Sequence, residues 1–144
     1  INKDNTGKKI DKRARKFLKK SNLDYAHGTG HGVGFFLNVH EGPQSITKIN
    51  KVKIEPGMVL SNEPGYYKEN HFGIRIENLV YVDKKDGKLF FKNLTMAPIE
   101  KDLINLNLLT TSEKNYLFKY HMDVYLKISK YLNQNEKKWL ASLI

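Results

Sequence analysis

Cysteine is absent from the 144 residues, which excludes a disulfide framework and any thiolate metal site. Long apolar runs are absent too. The sequence offers only short stretches such as "VGFFL" and "LVYV", against the ~20 residues that a membrane-spanning helix needs. No stretch has the layout of a cleavable signal peptide. These absences predict no membrane partner and a cytoplasmic location, with an acidic digestive compartment left open. Acidic residues are scarce, 15 against 25 Lys and Arg, so the net charge is +10. Such an excess raises the question of nucleic acid or acidic surfaces. The densest basic run, "KKIDKRARKFLKK", has no aromatic stacking platform or nucleic-acid motif beside it. Its Ile10, Ala14, Phe17 and Leu18 recur at helical spacing with Lys and Arg between them, the pattern of an amphipathic helix whose charges face water. Nucleic acid is not an expected partner.

What is present suits one modest core at 40% hydrophobic content. The chain starts at Ile1, and residues 1–7 read as a polar linker, so a piece of a longer protein is expected. A helix is predicted over 8–21 and a strand over 30–40. A short strand over 58–63 is stopped by "EPG". "FGIRIENLVYV" alternates, with Ile74, Ile76, Asn78, Val80 and Val82 on one face and Arg75, Glu77, Leu79 and Tyr81 on the other. "KKDGK" then turns into "LFFKNL" as a hairpin. Thr110 and Glu113 have capping-box spacing. They open a helix on which Leu117, Tyr120, Val124, Ile128 and Tyr131 recur, and "EKKWLASLI" forms a second helix. The fold class is α+β with a mixed sheet and flanking helices.

The chemistry gathers in "HGTGHGVGFFLNVHEGP", residues 27–43. In extended form Gly28, Gly30, Gly32 and Gly34 share one face, bare enough for a backbone or a substrate to approach. His31 projects from the other face. The spacing of His27 and His31 would suit a zinc-binding helix, but Gly28 stands where that motif needs glutamate. The glycines would also cost a helix ~2–3 kcal/mol. In an extended chain the two histidines lie ~13 Å apart and do not share an ion. One histidine ligand with separate substrate-facing histidines is the better reading, against the plainer one of structural imidazoles.

Glu63 ends its strand in "SNEPGYY", and Glu77 lies within an apolar strand beside Arg75. A carboxylate in such surroundings needs a cation. Arg75 is the simple partner, and the ~6.5 Å between positions i and i+2 leaves room for a second. One imidazole with carboxylates is an oxygen-dominated set suited to Mn²⁺ and tolerant of Co²⁺ or Zn²⁺. Two such ions ~3.5 Å apart call for about four carboxylates. Only two good candidates are here; Asp4, Asp11 and Asp24 lie in linker or helix context.

Three blocks in this order, "HGTGHGVGFFLNVHEGP", "EPGMVLSNEPGYY" and "FGIRIENLVYV", resemble the C-terminal half of the catalytic domain of the Xaa-Pro aminopeptidase (aminopeptidase P) family. These are pita-bread metallopeptidases, related to methionine aminopeptidase and prolidase. The likeness runs from about Gly7 to the C-terminus, where "MAPIEKDLI" and a helix pair resemble the extension of the cytosolic three-domain form. It implies residues 1–97 as the C-terminal part of the catalytic domain and 98–144 as a helical extension. It also implies a dinuclear, usually Mn²⁺, centre with a bridging hydroxide, held by two aspartates, a histidine and two glutamates. His31, Glu63 and Glu77 match three of these; the aspartates belong to a segment upstream. His27 matches a histidine near the substrate, and His40 one that contacts the peptide and stabilises the transition state. Glu63 is in addition a candidate carrier of the water proton on acid–base grounds. Arg75 matches a supporting arginine, and Tyr67 a residue of the proton relay.

The implied reaction releases the N-terminal residue from peptides whose second residue is proline, with the complementary N-terminal part of the same protein as a necessary partner. Prolidase activity on Xaa-Pro dipeptides and a non-catalytic peptide-binding module are the alternatives. Tyr116, Tyr120, Tyr125, Tyr131 and Trp139 are more aromatics than one helix pair needs internally. They either pack on the catalytic core or form the interface of a homodimer.

Overall fold

The computed structural model describes residues 6–36 and 38–144. Residues 1–5 of the expected linker, and Leu37 of the expected strand, lie outside the described residues. The linker reading fails at its end: Thr6 is an N-cap whose hydroxyl accepts the Lys9 N–H, and Gly7 opens helix α1 (Gly7–Ala14). The predicted 8–21 helix is broken at Arg15, after which α2 (Lys16–Lys20) continues. Two compact units follow in sequence, one ending at Thr95 and one beginning at Met96.

In the first unit the strands are β1 (Gly30–His31), β2 (Ser45–Ile46), β3 (Val59–Asn62), β4 (Gly65–Lys68), β5 (Phe72–Arg75), β6 (Asn78–Lys85) and β7 (Lys88–Asn93). They form three antiparallel sheets, β1–β2, β3–β6–β7 and β4–β5. Ile10, Ile46, Ile54, Leu60, Val80, Val82 and Leu89 make the core. Val80 and Val82 are buried as the alternation predicts. Asp86 and Gly87 both take positive φ (49° and 74°), which is what a two-residue hairpin with the strands' own twist demands.

Two strand expectations need correction. The 30–40 strand shrinks to β1. Beyond it Gly32 bridges Leu60, and its carbonyl accepts the Glu41 N–H at 3.0 Å. A Cβ on Gly32 would overlap the carbonyl oxygens of Glu41 and Gln44, so the chain doubles back where a side chain would forbid it. The second expectation, a continuous strand over 72–82, breaks at Ile76 and Glu77. The two halves have different partners, β4 for β5 and β3 with β7 for β6.

The second unit is built on α3 (Thr111–Ile128) and α4 (Gln134–Ser142). The Thr110–Glu113 capping box is formed as predicted, and Asn133 with Glu136 forms another at α4. Tyr120, Val124 and Leu140 are its buried centre, with Ile128 packed beside them. Tyr131, expected on the same stripe, is exposed in the turn after α3. No helix among the described residues is long and apolar enough to cross a membrane.

Candidate active site

β1 sets His31 against β3 because the glycine before it has no side chain. A Cβ on Gly30 would run into the Ser61 carbonyl oxygen. The His31 N–H donates to Ser61 Oγ at 2.9 Å, and that hydroxyl donates to Glu63 Oε1 at 2.8 Å. Glu63 N–H donates to the Thr29 carbonyl at 2.8 Å. β1 and the end of β3 are therefore sewn together across the histidine and the carboxylate.

The imidazole of His31 is oriented as well as placed. Its Nδ1 lies 3.0 Å from the Gly32 carbonyl. A carbonyl only accepts, so Nδ1 carries a proton, and in the neutral ring Nε2 presents a lone pair. That Nε2 faces Glu63 Oε1 at 3.5 Å. Two acceptors turned toward each other are held apart by repulsion unless a proton or a cation lies between them. The ring of His40 lies against His31, centroids 4.1 Å apart.

On the other side of Glu63, Arg75 Nη1 donates to Oε2 at 3.2 Å and stands 3.6 Å from Glu77 Oε2. Arg75 Nε donates to the Tyr67 hydroxyl at 2.8 Å, and that hydroxyl lies 2.8 Å from His27 Nε2. His27 Nδ1 is 2.7 Å from the Gly28 carbonyl, so the same tautomer argument makes Nε2 the acceptor from Tyr67. All seven residues singled out in the sequence thus lie in one chain of contacts: His40, His31, Glu63, Arg75 and Glu77, with Tyr67 and His27 branching from Arg75. Glu77 is not enclosed in a strand as expected. It sits in the break between β5 and β6 with its side chain 43% exposed, and the simple Arg75 pairing is formed.

Among the described residues, no three His, Asp or Glu side chains are gathered as a metal-holding group. The donor chemistry nevertheless fits a cation. A bare imidazole nitrogen and a carboxylate face one another, and a second carboxylate is kept near the first by a guanidinium. Among the described residues these donors are one imidazole and two carboxylates. Ser61 carries no signal in the sequence, and the basic run around Arg15 reads as solvated charge. Arg15 is buried, and Asp11, Asp24 and the carbonyls of Tyr25 and His27 surround it. The i, i+4 spacing of Asp11 and Arg15 was the available signal.

Residues 1–84 match the model of metallopeptidase family M24, and residues 87–143 that of the C-terminal region of peptidase M24. The chain belongs to metallopeptidase family M24. Among M24 relatives, it is 48% identical to a probable Xaa-Pro aminopeptidase P of Coprinopsis cinerea, over 96% of this chain and 24% of that protein. A probable Xaa-Pro aminopeptidase P of Pyrenophora teres f. teres is 46% identical over 92% of this chain and 22% of its own. The structure of an X-prolyl aminopeptidase from Caenorhabditis elegans, described as a cytosolic enzyme with a di-nuclear active site, superposes with a TM-score of 0.90. It is 37% identical and covers 99% of this chain and 25% of its own. The prolidase from Pyrococcus furiosus gives a TM-score of 0.57 at 32% identity, over 65% of this chain and 26% of its own. The M24 chain has the pita-bread fold expected from its motifs. It spans about a quarter of the length of the relatives it matches.

Proposed function

We propose that this chain is the C-terminal part of an aminopeptidase that releases the N-terminal residue from peptides with proline in second position. In this reading His31, Glu63 and Glu77 are its share of a centre of two divalent cations, Mn²⁺ by preference, with Co²⁺ or Zn²⁺ tolerated. The observation that carries the proposal is the 3.5 Å approach of His31 Nε2 to Glu63 Oε1, with the His31 proton committed to Gly32 on the far side of the ring. When bound, such cations lower the pKa of water toward neutrality and polarise a carbonyl. The chain's own groups do the rest. Glu63, already accepting from Ser61 and Arg75, takes the water proton and passes it to the departing proline nitrogen. His40 donates to the oxyanion that develops on the scissile carbonyl. His27, tied to Tyr67, shapes the adjoining pocket, and Arg75 keeps Glu63 and Glu77 together.

Aminopeptidase is favoured over prolidase because the likeness to the C. elegans enzyme extends through the second unit, 99% of the chain against 65% for the prolidase. The exposed Tyr116, Tyr131 and Trp139 of that unit support assembly as a homodimer. The described location of the C. elegans relative supports a cytoplasmic one here. The full-length protein, stripped with chelator and reloaded with Mn²⁺, should release the first residue of an Xaa-Pro-Yaa tripeptide and act poorly on an Xaa-Pro dipeptide. Faster cleavage of the dipeptide would favour prolidase. Absence of both cleavage and stoichiometric metal would leave a peptide-binding module.

A further inference from the structure

One member of the basic run turns inward. Arg15 is only 1% exposed. Its Nε donates to both carboxylate oxygens of Asp11 (2.9 and 2.8 Å), and Nη1 to Asp24 Oδ1 (2.6 Å) and the Tyr25 carbonyl (2.7 Å). Nη2 reaches the His27 carbonyl at 2.6 Å, and the guanidinium carbon lies 3.8 Å from the centre of the Tyr25 ring. Thr29, three residues from Ala26 and two from His31, donates to Asp11 Oδ1 and pairs with the Tyr25 hydroxyl. The segment 24–29 is folded around one cation.

Stability alone is a weak reason for this arrangement. Burying an ion pair costs about as much as it returns, and an apolar side chain of the same volume usually serves as well. A planar fork that reaches two carboxylates and two main-chain carbonyls fixes direction, which a lysine cannot copy from a single point. The carbonyls it takes belong to the segment that carries His27, whose ring meets Tyr67 and through it Arg75 and Glu63.

We infer that Arg15 is a positioning residue for the site, holding the His27 main chain so that the imidazole stays on the Tyr67 hydroxyl. The activity arm of its test rests on the function proposed above. In the full-length protein, R15K should lower kcat/KM by about 30-fold or more, the scale of a displacement near 1 Å. In an H27A background the same change should cost less than about threefold, because partners in one path are non-additive. Equal losses in both backgrounds would overturn the inference and leave Arg15 a fold residue. A crystal structure of the full-length R15K variant is the arm independent of turnover. It should show His27 Nε2 out of hydrogen-bonding reach of Tyr67 with α1 in place, and an unchanged contact would overturn the inference. If R15K does not fold, D24N removes one anchor and keeps the guanidinium. It should then show the same background dependence at smaller size, and equal losses would again be decisive against. Should the wild-type protein cleave no Xaa-Pro peptide, the functional reading fails, and the crystallographic arm still decides the role of Arg15.

Discussion

The rings of His40 and His31 lie against each other at a tilt of 50°, yet their proposed duties differ. Ligation by His31 acts on the ground state and the transition state alike, whereas a hydrogen bond from His40 strengthens as the oxyanion forms. His40→Ala in the full-length enzyme should therefore lower kcat by about 100-fold with metal content unchanged. A turnover rate equal to wild type would end the assignment. Residues of this kind were legible because their types are rare and their neighbours distinctive: an imidazole among glycines, a glutamate before Pro-Gly. Ser61 was not legible, although its hydroxyl links His31 to Glu63. Serine is common, and its role depends on two strands distant in sequence being laid side by side. Arg15 escaped for a related reason. Its charge spoke for solvent, and only the fold shows two carboxylates waiting for it; burial opposes charge on Asp24, but hydrogen bonds from Arg15, Lys48 and the Tyr25 N–H outweigh it and hold the carboxyl well below the usual range.

At the scale of elements, helix α3 contains a histidine that the site does not use. His121 is 6% exposed, and its Nε2 accepts the Ile99 N–H at 3.1 Å. Burial, aided by the nearby charge of Lys101, pushes its pKa below the ordinary value. The unfolded chain then binds a proton near pH 6.5 that the folded unit refuses, so stability rises with pH in this window. It is fully present above about pH 6.5 and declines on acidification, levelling off once the folded ring is itself protonated. Amide hydrogen exchange in α3 should show lower protection free energy at pH 5 than at pH 7, and His121→Gln should flatten the difference. Equal protection at both pH values would show that the ring is charged in place. Helix α3 and its Thr110–Glu113 cap were legible because their signals are local, whereas the caps at Thr6 and Asn133 and the break at Arg15 were not read. The Asp-Gly hairpin was legible for the same reason. The break at Ile76 and Glu77 was not, since extended residues alternate straight through it and only the choice of partner strand divides them. β2 and β4 were missed likewise: two to four residues among turn signals carry no period, and pairing alone makes them strands.

For the molecule as a whole, the proposed centre depends on how many donors this chain brings together. His31 and Glu63 face each other, Glu77 is joined to them through Arg75, and no further Asp, Glu or His completes a cluster among the described residues. Residues 1–144 alone should bind Mn²⁺ at least about 100-fold more weakly than the full-length protein, as titration calorimetry on the two would show; matched affinities would mean that the upstream part supplies no ligand.

The two sides of the site also rest on unequal foundations. His31 and Glu63 are fastened to strands that share the buried core. Tyr67 and Arg75 ride on β4–β5, a ribbon of two strands whose Phe72 and Ile74 are open to water, and isolated ribbons of this kind are marginal. A preparation of this segment can therefore give a native circular-dichroism spectrum and a cooperative melt while half of its chemical groups are out of place, so spectroscopic integrity is no certificate of a working centre.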